Sequence, residues 1–440
     1  MNFVKVLIQI VKFLLFLVVL LSKQDINAQQ WTLKNCVNQA IKNHPDIKSA
    51  QLDLGVSLSR VDQAKSNFYP ELGASVFQSG NFGRSIDRFT NVYIDQYYNT
   101  TYAGFGVSTP IFTSFRNCHL LASSKSDVTS RENGVEKAKN ILTLSVIVSY
   151  LNALSQVENI RNARIQLKND SIQTERFTIR KAAGLTTKTE EIQLLNQIKS
   201  DELAVLDAEL DQESALITLS QQMNVKVSNL ITLSPVEPDI FFSFSDQSRI
   251  NESLPQIREL KLRIQSQNEN IKATKALSYP VIGLSADYST FYASSNPERT
   301  FTQQLNDTRN GSISLGLTIP ILRGLKNRPV IQELKVQQMI TQNNLDKILL
   351  DIQQEIEMAL SRFRILKKRY ENARNLLELA TENMTLVTEQ LSAGNITMVD
   401  FLLAQSIMER ASGALTITKY QLILQEKILK FYSEGKYVLD

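Results

Sequence analysis

Between residues 345 and 391, apolar side chains recur at alternating spacings of four and three. The series is Leu345, Leu349, Ile352, Ile356, Ala359, Phe363, Leu366, Tyr370, Ala373, Leu377, Ala380, Met384, Val387 and Leu391. This is the period of a coiled-coil seam, kept without a polar interruption. An earlier stretch begins in the same way with Ile141, Leu144, Val148 and Leu151, then breaks at Ser155. Proline is absent from residues 111–234 and 330–440, and glycine is scarce there, so both stretches read as long helices. Each helix then meets a glycine, in "RKAAGLTTKTEE" and "EQLSAGNITMVD". Gly184 and Gly394 suit the left-handed backbone that ends a helix. Thr187 with Glu190, and Thr397 with Asp400, then form the pattern that starts a new one. Each stretch is thus a predicted helical hairpin whose outgoing arm, 113–182 or 325–393, is roughly 100 Å long at ~1.5 Å per residue.

Elsewhere the period changes to two. Ile282, Leu284, Ala286 and Tyr288 alternate with Gly283, Ser285 and Asp287, and Ile313, Leu315, Leu317 and Ile319 alternate with Ser314, Gly316 and Thr318. Leu72, Ala74 and Val76, and then Ala103, Phe105 and Val107, repeat the parity against Gly73, Ser75, Gly104, Gly106 and Ser108. Four strands follow, about 71–80, 100–109, 281–290 and 311–319, each with one apolar face and one small, polar face. Phe and Tyr crowd residues 68–115 and leave only Tyr150 and Phe177 in the stretch that follows to 240.

The two kinds of pattern occur twice at one fixed offset. Pro45 maps to Pro255, Tyr69-Pro70 to Tyr279-Pro280, Pro110 to Pro320 and Gly184 to Gly394. A shared register over so long a stretch indicates internal duplication. Repeat 1 covers about 31–226 and repeat 2 about 252–440, with a linker at about 227–251. Pro70 and Pro280 mark where a helix stops and a strand begins; Pro110 and Pro320 mark the way back.

The N-terminus adds a location. Lys5 and Lys12 precede an unbroken apolar run at 13–21, and Ala28 offers a small residue for cleavage, so 1–28 reads as a secretory signal peptide. No apolar run in the remaining 29–440 is long enough for a transmembrane helix, so a membrane would be crossed only by a β-barrel. Strands of about ten residues with flanking aromatics fit such a barrel. Four strands cannot close one, and open edges are not tolerated in lipid, so the chain is expected to oligomerise. The fold class is an α+β membrane protein with a two-fold repeat of strand hairpin plus long helical hairpin.

Charge and candidate chemistry change little. The 440 residues hold 48 basic and 44 acidic side chains, and Lys5, Lys12, Lys23 and Asp25 fall in the leader, so nucleic acid is not an expected partner. Cys36 and Cys118 are separated by a predicted helix at 45–69 and are expected to be free thiols. His44 precedes Pro45 and reads as a helix-capping residue. Cys118-His119 has no further ligand at metal-site spacing. No phosphate loop or nucleophile elbow is present, so neither catalysis, a cofactor nor a metal is expected. A general porin would explain the strands without the long hairpins, and a periplasmic coiled-coil scaffold the hairpins without the strands.

From "WTLKNCVNQAIKNHPDIKSAQ" through "QLSAGNITMVDFLLAQ" the chain resembles the TolC-like outer-membrane efflux protein family, and "NFGRSIDRFTN" resembles the outer loop of Bacteroidetes-type members. The resemblance implies a homotrimer whose twelve strands form one outer-membrane barrel continuous with a periplasmic α-helical barrel. It implies an exit duct of a tripartite efflux or type I secretion system, passing small molecules or polypeptide across the periplasm and outer membrane. Its partners would be outer-membrane lipid, a periplasmic adaptor protein and an inner-membrane transporter. The adaptor would meet the tips at Ala183, Gly184 and Leu185 and at Ala393, Gly394 and Asn395. Asp400 matches an acidic constriction residue, and Glu190 a partnering acid in the first hairpin. Ile396 stands where the family has a basic latch residue, and Leu403 where it has a second acid.

Overall fold

The computed structural model describes residues 30–87, 91–184, 186–226, 232–239, 252–435 and 437. The signal peptide 1–28, most of the linker 227–251 and the tip residue Leu185 lie outside the described residues. In chain order the first elements are β1 (Gln30–Trp31), α1 (Leu33–Asn43), α2 (Pro45–Ser66), β2 (Glu71–Asn81), β3 (Arg84–Ile86), β4 (Tyr93–Asp95) and β5 (Tyr98–Phe112). Helices α3 (Arg116–Ala182) and α4 (Lys188–Gln222) make the first hairpin, followed by β6 (Thr232–Leu233) and α5 (Pro255–Ala276). Then come β7 (Val281–Ala293), α6 (Phe301–Asp307), β8 (Asn310–Thr318) and the second hairpin, α7 (Arg323–Ser392) and α8 (Met398–Glu434). Two compact units result, one from Lys48–Ala138 with Glu252–Gln353, the other from the remaining segments.

The first unit holds a four-stranded antiparallel sheet in the order β2-β5-β7-β8. Its register aligns like with like. Leu72 faces Val107, which faces Ala286, which faces Ile313; Phe105 lies between Ala74 and Tyr288. Gly73 faces Gly106 on the other parity, Ser108 faces Ser285, and Gly283 faces Gly316. Because side chains alternate along a strand, these positions make one sheet face apolar and the other small and polar, until Phe77, Tyr102 and Phe291 meet on the second face and Gln78 faces Thr101 on the first. The apolar face is bare: Leu72, Val76, Ile313 and Leu315 are each at least 70% exposed. On the small face a Cβ at Gly106 would lie 2.6 Å from Asp287 Oδ1, so glycine makes room for that carboxylate.

Three details depart from the sequence reading. Pro110 lies inside β5 rather than at its end, where the pairing with β7 shifts register between Pro110 and Phe112. A proline has no N–H for the ladder, and a bulge is where a strand tolerates that loss. The short β3–β4 ribbon and helix α6 are additions that the sequence pattern does not announce. Buried Gln304 of α6 holds its loop, donating to the carbonyls of Asn296 (3.1 Å) and Arg299 (2.9 Å) and accepting from Ala293 N–H (3.0 Å). Finally, among the described residues one window of α3 is long and apolar enough to cross a membrane, and half of it is buried. Val146, Ile147, Tyr150 and Leu151, all at most 3% exposed, explain its hydropathy as core packing.

The helices of this unit meet through small polar contacts. Ser130 Oγ donates to Glu259 O (2.8 Å), and His119 Nδ1 lies 2.7 Å from Glu269 Oε2.

In the second unit the two hairpins pack together. Every one of the fourteen seam positions from Leu345 to Leu391 that falls here is buried or half-buried on α7, as the period requires. Ala359 and Phe363 pack there against Leu422 and Leu429 of α8. Strands β1 and β6 pair in parallel, Trp31 opposite Leu233, and Tyr150 Oη lies within 2.9 Å of Trp31 O and 2.7 Å of Ser234 O. Both cysteines are free; burial pushes the Cys36 thiol up to about 12, so it stays protonated. His44 accepts a hydrogen bond from Asp46 N–H at Nδ1 (3.2 Å), a capping contact.

Candidate functional site

The two hairpin tips are built alike in backbone and differently in side chains. Gly184 and Gly394 have φ of 72° and 76°, and a Cβ at either would meet no atom within 4 Å, so left-handed backbone rather than crowding calls for glycine. Thr187 and Thr397 then cap α4 and α8, each in a complete capping box. Thr187 N–H donates to Glu190 Oε2 (2.9 Å), and Glu190 N–H to Thr187 Oγ1 (3.2 Å). Asp400 Oδ2 accepts from Thr397 N–H (3.1 Å) and Thr397 Oγ1 (2.7 Å), which hold its carboxyl below the usual range. Both acids singled out in the sequence therefore act as helix caps. Ala183, Gly184, Ala393, Gly394 and Asn395 are exposed beside them.

What flanks the caps is not shared. At the first tip Lys181 and Lys188 donate to opposite oxygens of Glu191 (2.7 and 3.0 Å), and these bonds lower its pKa. The matching positions in the second copy are Leu391, Met398 and Phe401, buried with Phe177 and Leu194 of the first hairpin. A cavity of about 420 Å³ opens beside this cluster, lined in part by Arg176, Phe177, Leu391 and Met398.

The junction prolines sit in the sheet-bearing unit. Pro70 falls between α2 and β2, Pro280 directly precedes β7, and Pro320 lies between β8 and α7. Pro110 and Pro320 line one cavity of about 300 Å³ with Asn117 and Tyr279. Asn117 Nδ2 donates to Asn67 O (2.8 Å), and its counterpart Asn327 donates to Ser278 Oγ (3.0 Å).

Sequence reasoning missed a third feature. Asp170 of α3, Asp201 of α4 and Glu409 of α8 come together in the hairpin unit, with Asp170 2% and Asp201 6% exposed. Gln166 and Gln405 donate to Asp170 Oδ1 (3.4 and 3.2 Å), and Gln197 donates to Asp201 Oδ1 (2.9 Å). Burial first, then the Asp201 and Glu409 carboxylates, push Asp170 up to about 8; burial and Asp201 push Glu409 up to about 7. The α3 seam read from Ile141 and Val148 does not lead there, because both are exposed; the buried line runs one position over, through Gln166, Asp170, Gln173 and Phe177. Among the described residues no group of His, Cys, Asp or Glu is disposed to hold a metal.

The model of the outer membrane efflux protein family matches residues 36–225 and 248–432. The chain belongs to the outer membrane efflux protein family. Membership locates it to the outer membrane, reaching into the periplasm. Solved structures share the fold. CusC matches with a TM-score of 0.79 at 16% identity, over 93% of each chain. VceC from Vibrio cholerae matches with 0.77 at 15% identity, over 92% of this chain and 96% of its own. CmeC from Campylobacter jejuni matches with 0.76 at 18% identity, over 92% and 86%. No curated protein sequence matches the chain significantly.

Proposed function

We propose that three copies of the chain assemble into one twelve-stranded outer-membrane barrel with a helical duct beneath it, the exit path of a tripartite efflux or type I secretion system. One observation carries the reading: β2 and β8 each have a partner on one side only, in a sheet whose apolar face is bare. Lipid cannot hydrogen-bond such edges, whereas the β8 edge of one copy can pair with the β2 edge of the next. The helices support it independently. Ile192, Leu195, Leu203, Leu206, Leu210 and Ile217 form a stripe on α4, all 45–63% exposed, that suits burial against a neighbouring copy.

In such an assembly the tips around Ala183-Gly184-Leu185 and Ala393-Gly394-Asn395 are the contact surface for a periplasmic adaptor linked to an inner-membrane transporter. Asp400, with Glu190 as the corresponding acid of the first hairpin, would ring the constriction of the duct. Ile396 and Leu403 offer no charge for a salt-bridged closure there. The test is a pair of measurements. Purified protein in planar bilayers should carry ion current, and Asn395→Trp should abolish export in cells while leaving surface expression and current intact. Absence of current would contradict a duct; current with undiminished export in Asn395→Trp would remove the second tip from the adaptor interface.

A further inference from the structure

We propose that Asp170, Asp201 and Glu409 form a proton-operated latch that clamps the arms of the first helical hairpin to each other and to α8, and releases them in alkaline conditions. The proposal concerns the packing of the hairpins and stands apart from whether the duct conducts.

Three helices each contribute one carboxyl to this spot, and three oxygens there have no hydrogen-bond partner among the described residues: Asp170 Oδ2, Asp201 Oδ2 and Glu409 Oε1. Leaving such atoms unmatched in a packed interior is costly. All three are closed to solvent. Each of these oxygens can receive a proton, which turns one carboxyl into a donor for its neighbour.

Among the described residues no cation is an ion-pair partner of the three carboxyls. The remaining hydrogen bonds come from the neutral amides of Gln166, Gln197 and Gln405. Beside Asp201 and Glu409, α7 presents only Leu377 and Thr381 to the cavity of about 320 Å³ that they line. Beside Asp170, a cavity of about 460 Å³ carries Arg176 and Glu389, and neither is an ion-pair partner of the trio. Arg164 on α3 is engaged by Glu209, and Lys199 on α4 by Glu202.

The internal repeat supplies a control within the same chain. The second-copy counterparts of Asp170 and Asp201 are Ala380 and Ala411, both buried at 4% or less. The seam thus accepts two alanines in one hairpin and two acids in the other, so the fold itself does not demand the acids.

The sign follows from the raised pKa values. A carboxyl whose pKa rises on folding stabilises the packed state below its ordinary range and stops doing so as pH climbs through the raised value. The clamp is therefore complete below the ordinary carboxyl range, weakens as pH climbs above it, and is lost by about 7 to 8. Above that range two or three carboxylates repel one another in a closed space, and the flanking cavities admit the water that would solvate them.

Hydrogen–deuterium exchange on the full chain in detergent, corrected for intrinsic rates, tests this directly. Between pH 6 and pH 9, amides around 166–173, 197–204 and 405–411 should open about a hundredfold more often, the two pH units that separate pH 6 from the raised value near 8. The helical tip beside Gly394 serves as the unaffected reference. Asp170→Asn should remove most of that rise. The double change Asp170→Ala with Asp201→Ala, which copies the Ala380–Ala411 arrangement, should abolish it while the hairpin stays closed at both values. An infrared carbonyl band of a buried protonated carboxyl should be present at pH 6 and missing in Asp170→Asn. Exchange that is flat with pH in the unaltered protein, or a rise of the same size in the double variant, would overturn the latch.

Discussion

The two hairpins carry one backbone plan and two chemistries. Both turn at a left-handed glycine and both restart on a capping box. In the first, the positions around the tip are Lys181, Lys188 and Glu191, and the seam above holds Asp170 and Asp201. In the second the same positions are Leu391, Met398 and Phe401, and Ala380 and Ala411. Apolar burial is insensitive to salt and pH over the physiological range, while exposed ion pairs and buried acids respond to both. The first hairpin is thus the one whose contacts depend on conditions, and the second the apolar frame beside it.

The largest expected effect breaks the frame. Phe401→Ala removes a ring that is 2% exposed from the cluster shared by both hairpins, and should cost about 3–5 kcal/mol in chemical denaturation. A loss below about 1 kcal/mol would mean that the cluster does not hold the second tip. Smaller and equal effects are expected where the two tips are equal. Gly184→Ala and Gly394→Ala each force a β-carbon into left-handed backbone with free space around it, so each should cost roughly 1–2 kcal/mol. Thr187→Ala and Thr397→Ala each remove a cap and should cost about 1 kcal/mol, read as a matched drop in stability.

These equalities mark what was legible in the sequence. Glycine followed by Thr-x-x-Glu or Thr-x-x-Asp is local chemistry, read from four neighbouring residues, and the strand parity of Ile282 to Tyr288 is local in the same way. The α7 seam was legible because its period repeats. Pro110 lies inside β5 because a bulge there accommodates it, and a bulge depends on the partner strand, which a single strand's residues do not reveal. The Lys181–Glu191 bridge crosses a turn only ten residues long, but the Asp170–Asp201–Glu409 cluster joins residues far apart in the chain, so no spacing rule points to it. Asp400 shows the limit of resemblance: its cap could be derived from sequence, whereas its place at a constriction rests on the proposed assembly.

The smallest effect sharpens the comparison most. Lys181 and Lys188 are more than half exposed, so Lys181→Gln should leave global stability almost unchanged. Raising salt should nevertheless increase hydrogen exchange at the first tip and leave the second untouched. Acid does not separate the tips so cleanly. Glu191 and Asp400 both have lowered pKa values, so their contributions persist above the ordinary carboxyl range and fade as pH falls below it.

The account rests on the sheet with two open edges, and the mass of the protein extracted from outer membranes in mild detergent tests it most directly. Native mass spectrometry should find three copies of the chain, stable until heated. A monodisperse monomer that keeps its strands would contradict the assembly and, with it, the duct.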